Sequence, residues 1–179
     1  MNRCLITDRR QLPEGTSLVE FVAARAPDLV QLREKDLDSW TLAAIAGAMT
    51  QRGLRVVVNT RVDVALACGA AGVHLPGGSP PPDLWRCVTP AGFLIGVSCH
   101  SVDEVLRAEG EGADYAFFSP VFEPISKAAY APAAGLERLA EACSAVRIPV
   151  WALGGITDEN AGGCIAAGAA GVAGISLFL

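Results

Sequence analysis

Eight short, almost uninterrupted apolar runs recur at a spacing of about twenty residues, and this pattern constrains the chain more than any single motif. They are Cys4 to Thr7, Leu29 to Leu32, Arg55 to Asn59, Gly72 to Leu75, Phe93 to Ser98, Tyr115 to Ser119, Val150 to Leu153 and Gly171 to Ile175. All but the last lead into helical pattern. Asp38 is a candidate N-cap for a helix running from Ser39 to Arg52. Ser101 and Glu104 read as a capping box, and the last unit places a helix between Asn160 and Gly168. Strands apolar along their whole length, without polar alternation, are those of a parallel sheet covered on both faces. Parallel neighbours need a helical crossover between them. Eight such units predict an α/β fold, a (β/α)8 TIM barrel, as a single domain over residues 1–179. The barrel is short, and its closing eighth helix is absent. Either the sequence is truncated there or a partner subunit covers that flank, so a homodimer is expected. A doubly wound open sheet is the second choice, but no Gly-x-Gly-x-x-Gly follows the first run.

With 51% hydrophobic and 18% charged residues the chain can bury a substantial core, and no part reads as disordered. A net charge of −5 argues against nucleic acid as a partner. An anionic ligand must then be held by local groups, not by an overall field. No apolar run is long enough to cross a membrane and no signal peptide is evident. The six cysteines form no Cys-x-x-Cys or Cys/His zinc pattern, so a reducing cytoplasm is the expected location.

In a barrel of this kind the chemistry sits at the C-terminal ends of the strands. Gly154 and Gly155 bring bare backbone amides to the end of the seventh run; Ile175, Ser176 and the amides beyond them lie at the end of the eighth. One such glycine pair is as readily a tight turn as an anion site. Two at consecutive strand ends favour phosphate. After the second run, period two puts Gln31, Arg33 and Lys35 on one side, and two cations there suit a phosphate or carboxylate. Alternatively they pair with Glu34 and Asp36. Asn59 ends the third run and either meets a ligand or caps the following helix. His74, alone in an apolar run, reads as a hydrogen-bonded core residue. Ser98 and His100 flank the fifth strand end, and His100 is a candidate proton carrier. Lys127 lies in the long segment from Pro120 to Ala134, where functional residues concentrate. No paired carboxylate stands at a strand end, so neither a metal cage nor a two-carboxylate acid/base pair is evident.

With these residues assembled, the chain resembles the thiamine phosphate synthase/TenI superfamily over nearly its whole length. The resemblance is carried by Gln31-Leu32-Arg33-Glu34-Lys35, Val58-Asn59-Thr60-Arg61-Val62-Asp63, Gly72-Val73-His74-Leu75 and Gly96-Val97-Ser98-Cys99-His100-Ser101. Ala113-Asp114-Tyr115, Pro120-Val121-Phe122, Ser126-Lys127, Leu153-Gly154-Gly155-Ile156-Thr157 and Gly174-Ile175-Ser176 complete it. It implies a barrel that binds phosphorylated thiazole or pyrimidine intermediates of thiamine biosynthesis. Synthases of the family join a pyrimidine pyrophosphate to a thiazole phosphate and hold Mg²⁺ with two aspartates. Thr60 stands at one of those positions, and Pro76-Gly77-Gly78-Ser79 replaces the stretch that carries the other. TenI-type thiazole tautomerases shift a proton without a metal, and the Asn59 and His74 stretches resemble theirs. The histidine such an enzyme carries after the sixth strand is Pro120 here.

The resemblance therefore implies a TenI-like thiazole tautomerase with no cofactor, and Mg²⁺ only if the chain is instead a synthase using Asp36 or Asp63. A non-catalytic phosphate-binding barrel is the third reading. In the favoured one Gly154, Gly155, Ile175 and Ser176 hold the phosphate and Arg33 and Lys35 meet the substrate carboxylate. Gln31, Asn59 and Ser98 line the ring pocket, and His100, Lys127 or Lys35 moves the proton.

Overall fold

The computed structural model describes residues 1–123 and 132–179. Each apolar run becomes a strand: β1 (Asn2–Ile6), β2 (Leu29–Leu32), β3 (Val56–Asn59), β4 (Gly72–Leu75), β5 (Leu94–Cys99), β6 (Tyr115–Phe118), β7 (Val150–Leu153) and β8 (Gly171–Gly174). Between them run α1 (Leu18–Arg25), α2 (Ser39–Gln51), α3 (Val62–Ala67), α4 (Pro82–Arg86), α5 (Val102–Gly110), α6 (Gly135–Ala145) and α7 (Asp158–Ala166). The strands pair in chain order, all parallel, and β8 closes on β1 through Asn2 against Gly171 and Leu5 against Gly174. This is a closed eight-stranded TIM barrel, as the sequence predicts. That closing register explains why β1 begins at Asn2 and not at Cys4. After β8 the chain makes a 3-10 turn, Ser176–Phe178, whose buried Phe178 ring lies 4.9 Å from the Arg3 guanidinium. Among the described residues no helix is long and apolar enough to cross a membrane.

The strand faces divide the core as period two requires. Outward residues such as Leu5, Val30, Val58 and Val73 pack beneath α1, α2 and α3; Ala116, Phe118, Val150 and Ala152 pack beneath α5, α6 and α7. Inward residues form a separate cluster of Cys4, Ile6, Leu29, Val57, Tyr115, Phe117 and Ala173. Three aromatic rings fill the barrel, Tyr115 and Phe117 at 5.4 Å and Phe117 and Trp151 at 6.4 Å between centroids. Glycine makes room for them. A Cβ on Gly96 would lie 2.0 Å from Tyr115 Cζ, and one on Gly171 would lie 2.7 Å from Trp151 Cε3. Gly96→Ala is therefore expected to destabilise the fold by about 1–3 kcal/mol through overpacking. Urea denaturation should show this, and Tyr115→Leu in the same chain should recover part of the loss.

Local capping follows the sequence with one shift. Asp38 Oδ1 accepts from the amides of Trp40 (2.9 Å) and Thr41 (3.0 Å), starting α2. Ser101 Oγ accepts from Glu104 N at 3.2 Å, as in a capping box. The Glu104 carboxylate, however, reaches past Ser101 to the amide of His100, at 2.6 Å.

Candidate functional site

The C-terminal strand ends surround a cavity of 920 Å³. Gln31, Arg33, Lys35, Asn59, Ser98, His100, Gly154, Gly155, Ile175 and Ser176 all line it. Lys127 lies outside the described residues. Every described residue of the favoured reading thus reaches a single mouth, whereas Asp36 and Asp63, the candidate ligands of the synthase reading, do not line it.

The alternative pairing of Arg33 and Lys35 with Glu34 and Asp36 does not occur. Arg9, on a 3-10 turn (Arg9–Gln11) after β1, takes both acids. Its Nη1 meets Glu34 Oε2 at 3.0 Å and Asp36 Oδ1 at 2.7 Å, while Nη2 meets Asp36 Oδ2 at 2.8 Å. The hydrogen bonds from Arg9 hold the Asp36 carboxyl down to about 2. Arg33 and Lys35 are left facing the cavity with no carboxylate partner among the described residues. Two unneutralised cations in a concave site raise the local anion potential of a chain that is acidic overall.

At the opposite rim Gly154 (φ 96°) and Gly155 (φ 63°) are both left-handed. Two left-handed glycines make a tight turn whose backbone amides no side chain covers, so the turn can offer them to an anion. Close approach reinforces the need for glycine. A Cβ on Gly154 would lie 2.7 Å from Pro120 Cα, and one on Gly155 would lie 2.4 Å from the Glu123 carbonyl oxygen. The α7 start is held at the same place, Asn160 Oδ1 accepting from Thr157 N at 2.9 Å and Asn160 Nδ2 donating to the Gly155 carbonyl at 2.9 Å. Asn160 thereby secures the carbonyl side of the turn.

Asn59 does not cap α3, whose N-cap is Arg61. Its Oδ1 accepts from Gln31 Nε2 at 2.9 Å and its Nδ2 donates to Thr60 Oγ1 at 2.9 Å. Thr60 is left-handed at φ 68°, a conformation that β-branched residues strongly disfavour. A bond from its amide to the His74 carbonyl, 2.8 Å, fixes that geometry.

His74 is fully buried and hydrogen-bonded, as read from the sequence. Its Nε2 lies 2.9 Å from Ser98 Oγ and its Nδ1 3.1 Å from the Tyr115 hydroxyl. Burial, with the Arg33 charge as a smaller contribution, lowers its pKa from 6.5 to about 3, so the ring is neutral. His100 does more than pack against a helix start. Its Nδ1 lies 2.7 Å from the Ser119 carbonyl and must donate to it, which leaves Nε2 with a lone pair able to accept a proton.

Sequence reasoning missed Arg107 and Glu104, which reach the cavity from α5, and Gln11 from the 3-10 turn. None stands at a strand end, so the strand-end rule could not find them.

The donor set does not suit a metal cage. Thr60 lines the main cavity and Ser79 an adjoining one of 270 Å³, so hydroxyls stand where the resemblance places carboxylates. Asp36 is committed to Arg9, and Asp63 is paired with Arg61 at 2.5–2.8 Å. Among the described residues Glu104 is the one carboxylate on the cavity, and it already accepts from His100 N. No group of three or more His, Cys, Asp or Glu among the described residues is disposed to bind a metal ion. Residues 124–131 carry no side chain of these types. The mouth is built instead from cations, amides and hydroxyls.

The chain as a whole, beyond the glycine turn after β7 and the cations after β2, is similar to known proteins. The sequence model described as thiamine monophosphate synthase, TMP-TENI, matches residues 3–178. The chain belongs to this family. It is 46% identical over 181 residues to a putative thiamine-phosphate synthase of Geobacter sulfurreducens, covering 98% of this chain and 85% of that one. With the thiamine-phosphate synthase of Methanoculleus marisnigri it shares 46% over 165 residues, 90% of this chain and 78% of the other. The structure of the thiamine phosphate pyrophosphorylase from Pyrococcus furiosus superposes with a TM-score of 0.85 at 34% identity, covering 98% of this chain and 85% of that one. These family members carry synthase names, and none of them specifically supports the tautomerase expected from Thr60 and Ser79. The matches favour an enzyme of the transferase type.

Proposed function

We propose that this chain is a thiamine-phosphate synthase-type transferase that joins a pyrimidine pyrophosphate to a thiazole phosphate in the barrel mouth. The observation that carries it is the likeness to named synthases along nearly the whole chain. In the reaction a carbon–oxygen bond to pyrophosphate breaks and a bond from that carbon to the thiazole nitrogen forms. The leaving pyrophosphate takes the electron pair, so positive charge must be waiting for it. Arg33, Lys35 and Arg107 line the cavity and supply that charge from the protein itself. Gly154, Gly155, Ile175 and Ser176 hold the thiazole phosphate, and Gln31, Asn59 and Ser98 line the ring pocket. Lys35 and His100 line the same space.

The donor set favours a second reading, metal-independent thiazole tautomerisation. That reaction needs a base and an acid and no pyrophosphate clamp, and His100 Nε2 is a free lone pair beside the cavity. One comparison separates the two. Purified protein given pyrimidine pyrophosphate and thiazole phosphate, with and without Mg²⁺, is expected to release pyrophosphate and form thiamine phosphate. Aromatisation of the carboxythiazole phosphate tautomer without any coupling would replace the first reading with the second.

A further inference from the structure

Beneath the mouth, Tyr115, His74 and Ser98 form a line of hydrogen bonds from the barrel interior to the cavity. The Tyr115 hydroxyl is buried, and among the described residues its one hydrogen-bond partner is His74 Nδ1 at 3.1 Å. A phenol has one proton to place. Were Nδ1 the donor, the Tyr115 proton would be buried without an acceptor, at the full desolvation cost. The phenol therefore donates to Nδ1, and the neutral ring carries its proton on Nε2. Nε2 then donates to Ser98 Oγ at 2.9 Å. With that oxygen accepting, the Ser98 proton is free to point into the cavity that Ser98 lines. Phe117 packs against the imidazole, 4.3 Å between ring centroids. Burial also drives the Tyr115 phenol pKa well up and the His74 pKa down, so near neutrality the phenol keeps its proton and the imidazole gains no second one.

We propose that Tyr115 and His74 are positioning residues that fix Ser98 as a hydrogen-bond donor, so that this corner of the mouth selects a ligand acceptor atom. A phosphoryl or carboxylate oxygen qualifies, as does an unprotonated ring nitrogen. An amino group facing Ser98 does not. The inference concerns the polarity of the site and holds whichever reaction the mouth performs.

Imidazole nitrogen NMR tests it directly, since the chain has only two histidines. The His74 ring is expected to show a protonated, pyrrole-like Nε2 and a pyridine-like Nδ1. His100, whose Nδ1 faces a carbonyl, is expected to show the reverse, and His100→Asn assigns the two rings. A protonated Nδ1 on His74 overturns the proposal. The second readout is binding of a thiazole phosphate, whose ring nitrogen is an acceptor, by titration calorimetry. Ser98→Ala should weaken it several-fold, the loss of one hydrogen bond to a neutral acceptor. Tyr115→Phe should weaken it less and should broaden or reverse the His74 tautomer signature. In a Ser98→Ala background Tyr115→Phe should have no further effect. Equal losses from Tyr115→Phe in both backgrounds would mean that the phenol serves only packing, and would also overturn the proposal.

Discussion

Gly155→Ala is expected to weaken binding of a thiazole phosphate by roughly a hundred-fold, the loss of two hydrogen bonds from amides to a charged acceptor. Two costs converge on that residue. At φ 63° an alanine sits in the left-handed region, which costs about 1–2 kcal/mol. Its Cβ would also lie 2.4 Å from the Glu123 carbonyl oxygen and 2.8 Å from Phe122 Cβ, so the segment after β6 must move away. That segment is tied to the same turn, Val121 N donating to the Leu153 carbonyl at 2.9 Å and Phe122 N to the Gly154 carbonyl at 3.0 Å. Moving it rotates the peptide planes of Gly154 and Gly155, and the amides no longer aim at one point. Gly53→Ala is the control. It has a comparable φ of 77° with nothing within 4 Å of the added Cβ, and it does not line the cavity. It should cost stability of similar order and leave phosphate affinity unchanged. Titration calorimetry beside urea denaturation reads both quantities; if the two variants lose affinity alike, the glycine pair is a turn and not an anion site.

How much of this was legible in the chain depends on how local each signal is. The barrel was legible because strand, turn and helix repeat eight times, and each unit declares itself within about twenty residues. Gln31, Arg33 and Lys35 were legible because they stand at and just beyond the end of one strand, β2, where the mouth of a barrel lies. Their freedom was not. Nothing near Glu34 and Asp36 shows that Arg9, 25 and 27 residues away, takes both acids. Only the parallel pairing of β1 with β2 brings the loop after β1 against that after β2. His74 was correctly read as a core residue, yet its bearing on Ser98 depends on Tyr115, 41 residues further on and two strands away. Arg107 was invisible to a strand-end rule because it reaches the mouth from α5. The finer choice of reaction turned on two positions, Thr60 and Ser79. Likeness over the rest of the chain leans toward the synthases, whereas the chemistry at those two positions does not.

Acid should weaken this fold earlier than its carboxylates alone require, and His74 is the reason. Buried among Phe117, Tyr115 and Ser98, the ring resists protonation down to about 3, whereas in the unfolded chain it takes a proton near 6.5. Between those values the unfolded state binds one more proton than the native state. Stability therefore rises with pH across that window and falls on acidification. The stabilisation is complete above about 6.5 and lost progressively toward 3, at about 1.4 kcal/mol per pH unit. Asp8 and Asp36, held down to about 2 by Arg10 and Arg9, contribute in the same direction only below their ordinary value of 3.8. The interval from pH 6.5 to 4.5 thus isolates the histidine, with an expected loss of about 2–3 kcal/mol for that one site. Urea midpoints measured at several pH values give the slope. His74→Gln lowers stability at neutral pH by removing the fitted ring, but it has no proton to take up, so its slope in this interval should be flatter by about one proton. A variant with an undiminished slope would mean that His74 is reached by water and protonated in place. The line from Tyr115 to Ser98 would then fail together with the acid sensitivity it predicts.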